Sequence, residues 1–188
     1  MAKRKISYKI RRKIVRLLNS LFNTDFRLSW KQNEYLSSKW KARVEAMSAL
    51  IKADEKSILD LGCGAQFTKL FISPEVSYYP IDYISRDKGV IVCDFNKHEF
   101  PDTKADLCFC SGVLEYIEDL DWFVGKISGA SPSAIISYNC KSDPTQRRSE
   151  MWVNGLTETE LIKLFATHGF TCDKKIVYGR TSIFRFTK

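Results

Sequence analysis

The run Ser57-Ile-Leu-Asp-Leu-Gly-Cys-Gly64 constrains this chain more than any other stretch. Its apolar residues read as a buried strand, an acid stands near its end, and Gly62-x-Gly64 follows at once. Glycines directly after a first strand permit a tight turn and let another group approach the backbone where a Cβ would stand. Such a turn belongs at the carboxyl edge of a sheet that binds a ligand there. Beyond Asp54 the chain alternates short apolar runs with helical segments, the pattern of a parallel sheet covered on both faces. Strands are expected at Ser57–Leu61, Ser77–Ile81, Val90–Cys93, Ala105–Cys110 and Ala134–Tyr138. Helices are expected between them, including Asp119–Ser128 and, after a capping Thr157 with Glu160 three residues on, Glu158–His168. Two last strands, Thr171–Tyr178 and Thr181–Thr187, joined by Gly179-Arg180, read as a hairpin.

Charge is distributed unevenly. The first 16 residues hold eight of the 30 bases and no acid, so the remainder carries 22 of each sign. From Ile6 to Phe22, apolar residues recur at helical spacing and the bases fill the other side. This basic amphipathic helix is expected either to touch an anionic membrane surface through residues 1–22 or to pack on the domain with its charges in water. A second helix is expected over Asn33–Lys52, with Trp40, Val44, Met47 and Leu50 or Ile51 on one side. Residues 1–30 are thus expected to form a basic N-terminal segment and residues 31–188 the folded domain. No stretch approaches the roughly 18 apolar residues that a membrane span requires, and no secretory signal is evident. A cytoplasmic location, peripheral to the inner face of a membrane if the helix binds there, is the expectation. The six cysteines show no CxxC and no paired zinc spacing, and are expected to be reduced and largely buried.

The chemistry begins at Asp82, which closes the second strand 20 residues after Gly62. An acid there accepts hydrogen bonds from ribose hydroxyls in folds of this kind, so glycine turn and acid together imply a nucleoside. The third glycine of a dinucleotide fingerprint would fall at Phe67, and no Walker A sequence exists. A nucleoside without phosphates, such as S-adenosylmethionine, fits better.

In these motifs the sequence resembles the class I S-adenosylmethionine-dependent methyltransferases, in particular the small single-domain type that acts on small molecules. The resemblance covers roughly Trp40 to Lys188. Asp60-Leu-Gly-Cys-Gly64 resembles the first motif of that family, Ile81-Asp82-Tyr83 the second and Cys93-Asp94-Phe95 the third. Ala105-Asp-Leu-Cys-Phe-Cys-Ser-Gly-Val-Leu-Glu-Tyr-Ile117 is similar to the fourth, and Gly169-Phe170 before a terminal hairpin also fits. The resemblance implies a doubly wound, mostly parallel seven-stranded α/β sheet of the Rossmann-like methyltransferase type, with a C-terminal antiparallel hairpin and N-terminal helices. It implies a cofactor site of Asp60, Gly62, Cys63, Gly64, Asp82, Tyr83, Asp94, Phe95 and Ser111. Asp60 and the glycine backbone would hold the methionine part, Asp82 the ribose, Tyr83 would lie beside the adenine and Asp94 would meet its amino group. Two positions depart from the pattern: Gln66 stands where many members have a third glycine, and Tyr116 where many have a histidine.

Methyl transfer from a sulfonium needs nucleophile, methyl carbon and sulfur in line. An alcohol acceptor also benefits from a base within hydrogen-bond reach. Candidates are Glu115, Tyr116 and Tyr138, which follow strands four and five; each has a structural alternative in cofactor packing or helix capping. His98 reads as a solvated loop residue and His168 as a helix-end residue. No carboxylate cluster suggests a metal. The long segment from Cys140 to Gly155, with Arg147, Arg148, Glu150, Met151 and Trp152, is expected either to line the acceptor pocket or to be an exposed charged loop. The expected activity is methylation of a small-molecule or glycan acceptor, with oxygen the favoured target. An RNA methyltransferase gripping phosphates with the basic tail and a non-catalytic interaction module are the alternatives. Nucleic acid is disfavoured because the body carries no basic excess.

Overall fold

The computed structural model describes residues 38–142 and 152–188. The expected basic helix over Ile6–Phe22, and Arg147, Arg148, Glu150 and Met151, lie outside these residues.

Seven strands form one sheet: β1 (Ser57–Leu61), β2 (Ser77–Asp82), β3 (Ile91–Val92), β4 (Leu107–Ser111), β5 (Ser133–Tyr138), β6 (Thr171–Tyr178) and β7 (Thr181–Thr187). Their spatial order is β3-β2-β1-β4-β5-β7-β6. The first five pair in parallel; β7 inserts antiparallel between β5 and β6, with Ile136 opposite Phe184 and Ile135 opposite Arg185. The helices are α1 (Ser38–Ser48), α2 (Leu120–Ala130) and α3 (Glu158–Thr167).

Strand alternation divides the core in two. Leu59, Leu61, Cys108, Cys110, Ala134, Ile136, Phe184 and Phe186 pack beneath α2 and α3, against Phe123, Val124, Ile127, Leu161 and Phe165. Ile58, Leu107, Phe109, Ile135 and Ile183 face the other way, under Val44, Met47 and Leu50 of α1 and its C-terminal end. Both faces are apolar because both are covered, which is why these strands read as continuous apolar runs. Phe165 stacks on Phe186 with ring centroids 4.0 Å apart. Burial of such a ring contributes roughly 1.5–3 kcal/mol.

α2 begins at Asp119, whose side chain accepts from Trp122 N. α3 begins with a reciprocal capping box between Thr157 and Glu160. The expected helices between the first four strands are corrected to 3-10 turns: Phe67–Leu70 after β1 and Phe95–Lys97 after β3, with no helix between β2 and β3. Gly62, Gly64 and Gln66 all adopt positive φ, which uses up the start of a short crossover before helical geometry can set in. The third strand is also shorter than the expected Val90–Cys93.

All six cysteines are free thiols; Cys63, Cys93, Cys108 and Cys110 are buried, and Cys140 and Cys172 half-buried. Among the described residues no helix is long and apolar enough to cross a membrane.

Candidate active site

The chain moves outward from β1 to β2 and β3, then returns to β4 on the other side of β1. This reversal leaves a crevice beyond the carboxyl ends of β1 and β4, where open α/β sheets bind ligands. The turn after β1 lies on one side of it and the loop after β4 on the other.

On the β1 side, Gly62 N and Cys63 N both donate to Ile81 O, at 2.8 and 2.9 Å, which fixes the turn against β2. Gly62 has φ +77°, and a Cβ there would stand 2.3 Å from Val113 Cγ2. The space opened by this glycine is taken up by Val113 of the loop after β4. Gly64 N donates to Asp82 Oδ2 at 2.9 Å, and Arg86 Nη1 donates to the same oxygen at 3.0 Å. The Arg86 and Asp82 side chains are only 8% and 10% exposed. Asp82 Oδ2 is committed to these two donors.

Asp60 is 2% exposed and accepts from Tyr78 Oη at 2.5 Å. Burial pushes its carboxyl up to about 6, against the lowering effect of hydrogen bonds from Tyr78 and Thr68. Burial, with Asp60 and Asp82 nearby, also raises the Cys63 thiol, which stays protonated. Tyr83 is half-buried just past β2. Asp94 accepts from Asn96 N at 3.1 Å and lies 3.6 Å from Lys97 Nζ, so it caps the turn after β3. Phe95 is 7% exposed and packs on Phe123 with centroids 4.8 Å apart, inside the core.

On the β4 side, Ser111 ends the strand. Its Oγ accepts from Arg43 Nε at 3.1 Å, and its carbonyl accepts from Arg43 Nη2 at 3.3 Å. The guanidinium lies against Gly112, where a Cβ would stand 2.8 Å from Nη2. Burial lowers Arg43 from its ordinary value, while Glu115, Tyr116, Cys110 and Tyr178 act in the opposite direction.

The three candidate bases differ in what they touch. Glu115 is 1% exposed; its Oε1 accepts from Asn139 N and Nδ2, each at 3.0 Å, and its Oε2 is buried with no hydrogen-bond partner. Tyr116 is half-buried; desolvation raises its phenol, only partly offset by a hydrogen bond with Trp152. Tyr138 is fully buried, donating to Asn154 Oδ1 at 2.6 Å and accepting from Leu156 N at 2.9 Å. Asn154 Nδ2 in turn donates to Leu114 O and Ile117 O, at 2.6 and 2.8 Å. Tyr138 and Asn154 form a strut that ties the segment before α3 to the loop after β4.

The histidines stand apart: His98 Nε2 is 3.2 Å from Asp119 Oδ2, and His168 Nε2 is 2.9 Å from Asp121 Oδ1. Arg43, Val113, Asn139 and Asn154 were not singled out by sequence. Asn139 carried a signal, a polar amide directly after a buried strand, and so did Arg43, next to the apolar stripe of α1.

No family model and no curated protein matches the sequence. Solved structures do match the fold. The 1,6-didemethyltoxoflavin-N1-methyltransferase of Burkholderia thailandensis, solved with 1,6-didemethyltoxoflavin and S-adenosylhomocysteine bound, aligns over 100% of this chain and 93% of its own at 17% identity, with a TM-score of 0.63. The mitomycin 7-O-methyltransferase aligns over 90% of this chain and 60% of its own at 14% identity and a TM-score of 0.67. A methyltransferase of calicheamicin biosynthesis, in its S-adenosylhomocysteine-bound form, aligns over 90% and 60% at 15% identity and a TM-score of 0.63. This chain spans about three fifths of the length of the last two. At such identities the likeness establishes the fold, a Rossmann-like methyltransferase fold.

Proposed function

We propose that this chain is an S-adenosylmethionine-dependent methyltransferase acting on a small-molecule or carbohydrate-like acceptor, with a hydroxyl as the methylated group. One observation carries the reading: at the reversal point of the sheet, the glycine turn after β1, whose Gly64 N–H holds Asp82, packs directly on the loop after β4, which carries Glu115. The residues present fit the cofactor. Asp82 has one carboxylate oxygen held by Gly64 N–H and Arg86 and another to offer ribose hydroxyls. The backbone of residues 62–64 stands where the methionine end would lie, with Tyr83 and the turn capped by Asp94 on the adenine side.

S-adenosylmethionine would supply an activated methyl group on a sulfonium. The chain's task is to orient the acceptor in line with it and to receive a proton. Glu115 is the base in this reading, because Oε2 has no hydrogen-bond partner while Asn139 clamps Oε1. Tyr116, held protonated by burial, lines the pocket. Tyr138 supports the wall through Asn154. Residues 31–188 form the catalytic domain and residues 1–30 a basic accessory segment.

Calorimetric titration of the full chain with S-adenosylmethionine and S-adenosylhomocysteine tests the proposal. Saturable binding, weakened at least about tenfold in Asp82→Ala through loss of charged hydrogen bonds, is the expected result. No binding by the intact chain overturns it and turns attention to an interaction module.

A further inference from the structure

Two acids stand near the carboxyl ends of β1 and β2, and one guanidinium is bonded to only one of them. Asp60 pairs in register with Pro80, two residues before Asp82, so both acids lie on the same face of neighbouring strands. They are 2% and 7% exposed, and two carboxylates sharing a buried region resist being ionised together. Asp82 is among the groups that push the Asp60 carboxyl upward, after burial itself. Asp60 accepts from Tyr78 Oη, whereas Asp82 accepts from Arg86 Nη1 and Gly64 N. Cys63, in the turn after β1, is influenced by both acids and by Arg86.

Arg86 follows Asp82 at the spacing of a helical ion pair, but residues 83–90 form neither helix nor strand. A bend returns the guanidinium to the strand end, and the bend is pinned. Ser85 Oγ donates to Asp87 O at 3.0 Å, and Gln66 Nε2 donates to Asp87 Oδ2 at 3.4 Å. Both partners of the ion pair are buried, and such a pair adds little stability beyond what apolar side chains of similar volume would. Its specific effect is on charge. A cation bonded to one of two buried acids favours the ionised form of that acid and leaves the proton to the other. Among the described residues, the remaining titratable groups around the two acids carry no competing charge. Burial raises the Tyr78 phenol, the Cys63 thiol and the thiol of Cys93, whose N–H donates to the Asp82 carbonyl at 3.0 Å from the β3 side.

We infer that Arg86 is a positioning residue of the crevice: it fixes the negative charge on Asp82 instead of Asp60 and holds that carboxylate at the end of β2 for the ribose hydroxyls of a nucleoside. The charge assignment stands on the geometry, and the role in binding rests on the methyltransferase reading. Arg86 acts through Asp82 and need not touch the ligand.

Carboxyl-carbon NMR titration of the full chain, without ligand, tests the assignment. In Arg86→Gln, which keeps a hydrogen-bond donor and removes the charge, Asp82 is expected to titrate at least about one pH unit higher than in the native chain. Arg86→Lys, which keeps the charge, is expected to hold it near the native midpoint. An Asp82 midpoint unmoved in Arg86→Gln, or moved equally far in Arg86→Lys, overturns the inference. If Arg86→Gln does not fold, Asp60→Asn reads the competition from the other side: removing the second acid is expected to lower the Asp82 midpoint, and an unmoved midpoint is equally fatal. Calorimetry with S-adenosylhomocysteine at pH 6 and pH 8 tests the role in binding. Arg86→Gln is expected to bind about tenfold more weakly than the native chain at pH 6, the scale of one charged hydrogen bond, with a smaller deficit at pH 8. A deficit equal at both pH values makes Arg86 a packing residue and overturns that role. The two readings separate, because a native chain that binds no S-adenosylhomocysteine sinks the methyltransferase reading while the ligand-free titration still decides the charge assignment.

Discussion

At the residue scale, Asp60 shows how one position can be legible in kind and hidden in circumstance. An acid at the end of an apolar strand was conspicuous in the sequence, but its partner Tyr78, on the neighbouring strand, was not. Burial holds the Asp60 proton more tightly in the folded chain, with its carboxyl raised from 3.8 to about 6. The stabilising contribution of the neutral form is therefore full below the lower value and is lost as pH rises through the upper one. Relative to Asp60→Asn, which does not titrate, the native chain is expected to lose roughly 3 kcal/mol of stability between about pH 4 and pH 7. Urea unfolding of both proteins across that range measures it, and parallel curves would contradict the burial argument. Glu115 makes a related point. Its type and place after β4 were readable, whereas the clamp by Asn139 that separates its two oxygens depends on a turn at the end of β5, which apolar periodicity does not encode.

At the scale of elements, legibility followed local chemistry. β1, β6 and β7 occupy the spans expected from their apolar runs and from the Gly179-Arg180 turn, and α3 begins where Thr157 and Glu160 announced a capping box. Thr157→Ala is expected to lower global stability by about 1 kcal/mol, the usual size of a lost cap, read as a shift in the urea midpoint at unchanged slope. The crossovers among the first four strands were illegible for the opposite reason. Gln66 enters the 3-10 turn after β1 in a left-handed conformation, and no property of glutamine foretells it. The Tyr138–Asn154 strut likewise joins elements whose pairing emerges only once β5 and the segment before α3 lie side by side.

At the scale of the molecule, one buried ion pair links distant parts of the chain. Arg185 of β7 donates to Glu55 Oε1 at 2.7 Å, to Leu50 O at 3.0 Å and to Ser133 Oγ at 3.4 Å, and the paired side chains are 4% and 6% exposed. It joins the end of α1, the entry to β1, and strands β5 and β7. Glu55→Ala leaves the buried guanidinium with the partly exposed Asp173, 3.6 Å from Nε, as its remaining carboxylate and is expected to cost about 3 kcal/mol. The double variant Glu55→Leu with Arg185→Met is expected to cost markedly less than the sum of its single changes, because it removes both charges together. Chemical denaturation of the four proteins checks the cycle, and strict additivity would argue against the pairing.

The uneven distribution of helices has a consequence for how this chain reaches its native state. α3, β6 and β7 follow one another in sequence and meet through Phe165, Phe170 and Phe186, so this portion assembles from nearby segments. The strands around the crevice must instead find one another across crossovers without helices of their own, and such non-local pairing is slow. The C-terminal portion is therefore expected to organise before the crevice, an order that φ-value analysis would measure. A molecule that binds the crevice, and not the unfolded chain, would then stabilise the part of the fold expected to assemble last.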